Sequence, residues 1–385
     1  MDEIEELLTR GVENIIPDKE KLRALLASGK KLNIYLGIDP TATQIHVGHA
    51  VPLRKLNAFA QLGHNVTFLI GDFTALIGDT SDKDTERPVL THEQIKANFE
   101  TYKKQAEKIL DFSKVTVRFN SEWLNKLDFA EIVKLSQHFS AGEFVSRELI
   151  RNRLDQKKKV GLHELLYPVM QGYDSYFMDT DIQLGGTDQT FNMQAGRVLQ
   201  KDLRNKESFI IANGFLEGTD GRKMSKSWGN AIWLSDTPEN MYGKVMSLKD
   251  DLIVNYFTLL TDTSYEAIAS MKKSMAKGEN PMNLKKRLAF ELTKTFNTEV
   301  EAEKAQDAFK KAHQENIFPE EAEPSAPANS IKEFLIDKGY TSTEAKNLIA
   351  VGSVDINGIT IKERNIEVNS GDEIRIGKKA FFKVE

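Results

Sequence analysis

The chain has 385 residues, 40% hydrophobic and 28% charged, with a net charge of −5 and no cysteine. That length allows two or three domains with a full-sized core, and the lack of thiols excludes disulfides, zinc–thiolate sites and thiol catalysis. No apolar run approaches the ~18 residues of a membrane span, the acidic start (Asp2, Glu3, Glu5, Glu6) is unlike a secretory signal, and the mild acidity confines any nucleic-acid contact to local patches. The expectation is a cytoplasmic protein with no membrane partner.

Leu32 to Ile38 reads as a short buried strand, and Asp39 to Gln44 as the loop after it. Val51, Leu53, Leu56, Phe59, Ala60 and Leu62 recur at helical spacing before Gly63, and Asn65 to Gly71 reads as a second strand. Strand, helix, strand in this order predicts a parallel sheet that binds ligands above its strand ends. Pro52 breaks the pattern, because proline beyond the first helical turn loses a backbone hydrogen bond; the helix either starts late or is distorted there.

The segment from about His92 to Val160 reads as largely amphipathic helix and carries the basic stretch Arg147, Arg151, Arg153, Lys157, Lys158 and Lys159. Phe209 to Leu216 reads as another strand, followed by a glycine-rich loop from Gly218 to Asn230. Pro238 to about Phe318 reads as helical, and Glu320 to Asn329, with two prolines, as a linker. Beyond it, Ile331 to Asp337 is a short helix, and Thr341 with Glu344 forms a capping box for a second. Asn357-Gly358 joins two short strands as a tight hairpin, and Glu373 to Ile376 with Phe381 to Val384 completes a small sheet.

Five constellations carry chemistry. His46 and His49, three apart around Gly48 at a predicted helix start, place two imidazoles and unpaired N–H groups where a triphosphate could sit; two surface histidines beside a turn fit the same pattern. Lys223 and Lys226 flank Ser225 in the glycine-rich loop, where ammonium groups suit charge that develops as pyrophosphate leaves; a solvated basic loop is the bland alternative. Tyr167, Gln171 and Asp174 fall on one helical stripe among apolar neighbours, so a polar-substrate pocket competes with internal hydrogen bonding. Gln183-Leu184-Gly185-Gly186-Thr187-Asp188-Gln189, after a strand end, and the loop Gly78 to Lys83 with Arg87 are polar segments at the expected ligand face; an ordinary turn and an ordinary charged loop are the bland alternatives. The ordered pair His46-Val47-Gly48-His49 and Lys223-Met224-Ser225-Lys226-Ser227 is far more specific than either part.

With Tyr35 to Ala42, Gly71 to Ser81, Tyr167 to Asp174 and Gly185 to Gln189, these motifs resemble class I aminoacyl-tRNA synthetases and, within them, the bacterial tyrosyl branch. The resemblance spans essentially the whole chain. It implies an α/β fold: a Rossmann-like parallel-sheet catalytic domain over residues 1–235, with a helical insertion at about 92–165. An all-α anticodon-recognition domain follows over 236–319, then the linker 320–329 and a small α+β S4-like RNA-binding domain over 330–385.

The resemblance also implies roles. Tyr35 and Asp174 would bind a substrate phenol, and Asp79, Tyr167 and Gln171 its ammonium group. Asp39, Gly48, Gly186, Asp188 and Gln189 would contact adenylate or substrate. His46, His49, Lys83, Arg87, Lys223 and Lys226 would surround the ATP phosphates, with Mg²⁺ arriving on ATP and no metal held by the protein. Implied partners are L-tyrosine, tRNA(Tyr) and a second copy of the chain, with the insertion as dimer interface. For RNA contact, the Arg147 to Lys159 stretch and a patch of Lys378, Lys379 and Lys383 are candidates. A tryptophan-specific relative and an inactive RNA-binding protein on the same fold are the alternatives.

Overall fold

The computed structural model describes residues 2–78, 90–226, 228–314, 322–377 and 380–385. Two compact units emerge from the chain's own contacts: Met1–Asp236 with Leu248–Leu288, and Thr237–Ser247 with Ala289–Glu385.

The first unit is built on a six-stranded sheet: β1 (Val12–Ile16), β2 (Asn33–Ile38), β3 (Asn65–Ile70), β4 (Val115–Phe119), β5 (Ile182–Gly186) and β6 (Phe209–Asn213), in the order β1-β6-β5-β2-β3-β4. All neighbours are parallel except β1, which runs antiparallel to β6 at the edge. The central strands are nearly continuous apolar runs, and every residue of β6 is buried, as expected of strands covered on both faces. Strand order reverses between β2 and β5, which opens a crevice beyond their carboxyl ends.

The sequence reading of β2 and β3 holds. The reading of 92–160 as largely helical holds, except that the segment also contains β4. The helices Phe129–Ser136, Ala141–Val145 and Glu148–Asp155 follow it. The helix after β2 runs unbroken over Val47–Gln61 with Pro52 inside it, so it does not start late. A second long helix, Leu162–Phe177, carries Pro168 in its interior. Proline frees the carbonyl four residues earlier, and Arg147 donates to that carbonyl, Glu164 O, at 3.4 Å.

Arg153, grouped with a basic RNA-facing stretch, is only 3% exposed. Its guanidinium donates to both carboxylate oxygens of Glu164, at 2.6 and 3.0 Å. It ties the helix Glu148–Asp155 to the start of Leu162–Phe177 and presents no charge to a nucleic acid.

The second unit contains a five-stranded sheet of β7 (Glu323–Ser325), β8 (Val354–Ile356), β9 (Ile359–Thr360), β10 (Glu373–Ile376) and β11 (Ala380–Val384), in the order β7-β11-β10-β8-β9. The helices Ile331–Asp337 and Ser342–Ala350 pack on it around Phe334, Leu335 and Ile349. Thr341 and Glu344 form the expected capping box, and Asn357 and Gly358 both take positive φ in the hairpin turn. The expected linker is in part sheet: β7 pairs parallel with β11, and Ala328 bridges Val368. The helices expected over 236–319 are divided between the two units. Lys378 and Lys379 lie outside the described residues.

Candidate active site

A cavity of about 420 Å³ occupies the crevice beyond β2 and β5. Tyr35, Asp174 and Asn120 line it, and so do His46, His49 and Lys223. The sequence motifs therefore meet in a single cleft of the first unit. Backbone bonds fix the meeting: Val47 N donates to Ile232 O at 2.9 Å, and Leu234 N to Ile45 O at 2.8 Å. The strand-like segment after the glycine-rich loop is thus pinned beside the histidine motif.

His46 is the N-cap of the helix Val47–Gln61, and its ring lies 3.9 Å from that of His49, centroid to centroid. Burial, then the neighbouring His49 and Lys223 charges, push the His46 pKa down to about 2. It is a neutral imidazole, and its Nδ1 has no hydrogen-bond partner among the described residues. Gly48 admits this packing, since a Cβ there would lie 2.9 Å from the His46 ring. The helix N-terminus adds partial positive charge beside the two rings.

The polar stripe at Tyr167, Gln171 and Asp174 faces the cleft from the helix Leu162–Phe177. Asp174 is 3% exposed and accepts from Trp123 Nε1 at 2.7 Å and Asn120 Nδ2 at 3.2 Å. Burial raises its pKa to about 8 against the pull of those two donors, with Asp39 and Asp72 adding to the rise. Tyr35 is raised well above the ordinary phenol value by burial and by Asp174.

A hydrogen-bonded chain links the two carboxylates. Tyr167 Oη donates to Asp39 Oδ2 and Thr74 Oγ1 to Asp39 Oδ1, both at 2.8 Å. Asn120 Nδ2 donates onward to Thr74 Oγ1 at 3.0 Å. Gly71 leaves room for this network, because a Cβ there would sit 2.0 Å from Asp39 Oδ1.

Gly186, at the end of β5, and Asp188 and Gln189, in the turn after it, line the cleft. Lys226 is exposed and does not line it. Asp79, Lys83, Arg87 and Ser227 lie outside the described residues.

Sequence reasoning assigned no role to Asn120, Trp123, Gln183 or Asn230. Asn120 and Trp123 follow β4, the strand it missed. Gln183 was visible as a glutamine in an apolar strand; it accepts from Tyr35 Oη at 3.1 Å. Asn230 shapes the lysine loop: it donates to Asp220 Oδ1 at 2.7 Å and Lys223 O at 3.1 Å, and accepts from Ser225 N at 2.8 Å.

Comparison with known proteins identifies the lineage. The profile of the family "tRNA synthetases class I (W and Y)" matches residues 27–314. The chain belongs to this class I tRNA synthetase family. Its relatives in the family include tyrosine–tRNA ligases of Thermotoga maritima, 40% identical over 98% of this chain and 96% of that one, and of Carboxydothermus hydrogenoformans, 40% identical over 98% and 97%. Among solved structures, a C-terminally truncated mitochondrial tyrosyl-tRNA synthetase of Aspergillus nidulans superposes with a TM-score of 0.67 at 22% identity, covering 82% of this chain and 94% of that one. The synthetase of Archaeoglobus fulgidus, complexed with L-tyrosine, gives 0.62 at 22%, covering 79% and 100%. These likenesses establish the class I synthetase fold.

Proposed function

We propose that this chain is a tyrosine–tRNA ligase, activating L-tyrosine with ATP and transferring it to tRNA(Tyr). The observation that carries the reading is the single cleft lined both by Tyr35 and Asp174 and by His46, His49 and Lys223. The tyrosine carboxylate is already a nucleophile at neutral pH. It forms a bond to the α-phosphorus as the bridging P–O bond to the β-phosphate breaks, and pyrophosphate carries away the electron pair. The terminal ribose hydroxyl of tRNA then attacks the carbonyl carbon and releases AMP.

The protein's part is positioning and electrostatics. His46, His49 and Lys223 bind the phosphates. Tyr167 and Gln171 orient the ammonium group, and Asp39, Gly186, Asp188 and Gln189 hold adenylate. Lys226 acts at the rim of this site, and Asp79, Lys83 and Arg87 keep the roles the family resemblance implies. Mg²⁺ shares charge on the phosphates when bound with ATP; among the described residues no three His, Asp or Glu side chains cluster as a metal would need.

We read the S4-like fold at 330–385 and the helices of 236–319 as the tRNA-contacting parts, the latter reaching the anticodon. The insertion serves as a homodimer interface, a reading supported by the apolar side chains it exposes, Phe129 at 81% and Leu162 at 73%. No helix among the described residues is long and apolar enough to cross a membrane, and we place the reaction in the cytoplasm, with its tRNA.

Tyrosine-dependent exchange of labelled pyrophosphate into ATP tests the function. Exchange with tyrosine and none with tryptophan is expected. Tryptophan-dependent exchange, or none with either, would overturn the assignment.

A further inference from the structure

We propose that Gln183 is a specificity-determining positioning residue: it takes the Tyr35 hydroxyl proton and so presents Tyr35 to the substrate as a hydrogen-bond acceptor. The inference rests on the reading of the cleft as a tyrosine site. Parallel register makes Tyr35 on β2 and Gln183 on β5 direct cross-strand partners. Gln183 is completely buried, at 0% exposed, so each of its amide atoms needs a partner inside the protein.

The polarity of the pair follows from one carbonyl. Gln183 Nε2 donates to Met193 O at 2.9 Å. A carbonyl oxygen only accepts, so the amide cannot be turned over. Its Oε1 therefore faces Tyr35, and the proton in the 3.1 Å contact belongs to Tyr35. The cage is tight as well: a Cβ on Gly196 would come within 2.6 Å of Gln183 Oε1. Turning the Tyr35 proton toward a ligand would leave that oxygen buried and unsatisfied, a costly state.

A ligand must consequently donate to Tyr35, and the phenol O–H of tyrosine does so. The phenol oxygen then has lone pairs left for Asp174, whose carboxyl burial keeps protonated up to about pH 8. The donors then run one way: Asp174 to phenol, phenol to Tyr35, Tyr35 to Gln183, Gln183 to Met193. Phenylalanine fills the same volume but completes neither contact. An indole N–H can donate but cannot accept from Asp174.

The test is pyrophosphate exchange with tyrosine and with phenylalanine in wild type, Gln183→Met, Tyr35→Phe and the double variant. Gln183→Met should lower the tyrosine-over-phenylalanine ratio of kcat/KM by about tenfold, the scale of one hydrogen bond, through the tyrosine KM with the ATP KM nearly unchanged. In the Tyr35→Phe background the same change should alter the ratio by less than about twofold, because the two residues act as a unit. Equal losses in both backgrounds, or an unchanged ratio in the single variant, would overturn the proposal. Gln183→Glu, protonated in this fully buried position, keeps an acceptor oxygen toward Tyr35 and an O–H donor toward Met193 O, and should hold the wild-type ratio; if Gln183→Met does not fold, loss of the ratio in Gln183→Glu decides against the idea. A wild-type chain without tyrosine-dependent exchange would instead overturn the functional reading itself.

Discussion

The substitution Asp174→Asn should make the protein's stability less sensitive to pH. The wild-type carboxyl is buried beside Asp39 and Asp72, and its pKa stands at about 8 against an ordinary 3.8. Between those values the native state holds a proton that the unfolded chain has released. Raising the pH therefore favours unfolding by about 1.4 kcal/mol per unit for this one group. The contribution is fully present below the ordinary carboxyl value and is lost as pH climbs through about 8. The amide side chain of the variant would keep the shape without the titration. Tyr35, pushed well above the ordinary phenol value, does not titrate in this window. Urea unfolding of both proteins from about pH 5 to about pH 8 measures it. The stability of the variant relative to wild type should rise by about 1.4 kcal/mol per pH unit and level off near the upper limit. A difference that stays flat across the range would refute the argument from burial.

Three further outcomes follow from the geometry. Arg153→Ala should destabilise the protein by about 3–5 kcal/mol in urea unfolding, because Glu164 would be left charged and buried. His46→Ala should lower the exchange kcat by about 10²–10³, the effect of losing one transition-state donor, with the tyrosine KM nearly constant; with the His46 pKa near 2, the wild-type rate should show no titration of this ring around neutrality. Asn230→Ala releases the Lys223 carbonyl and the Ser225 N–H, and should lower the exchange kcat by about tenfold while leaving tyrosine binding unchanged.

Local chemistry made much of this legible in the sequence. The capping box at Thr341 and Glu344, the Asn357-Gly358 turn and the polar stripe at Tyr167, Gln171 and Asp174 each follow from interactions within a few residues, and each is present. The strands β2 and β3 were readable because a buried parallel strand is a bounded apolar run. What escaped depends on partners distant in sequence. β4 is five residues between helices, defined by pairing with β3. β7 contains Pro324 and reads as linker, yet proline is tolerated at a sheet edge, where β7 sits. Arg153 looks like one charge in a solvated run, and only its folding against Glu164 shows otherwise. With β4 unrecognised, Asn120 and Trp123 could not be placed beside Asp174.

A crystal structure with a non-hydrolysable tyrosyl-adenylate analogue bears most directly on the claim that one continuous cleft handles both amino acid and nucleotide. The phenol oxygen should lie about 3 Å from both Tyr35 Oη and the Asp174 carboxyl, with the phosphate beside His46 and His49. An analogue bound elsewhere, or with its ring turned toward the histidines, would contradict the account.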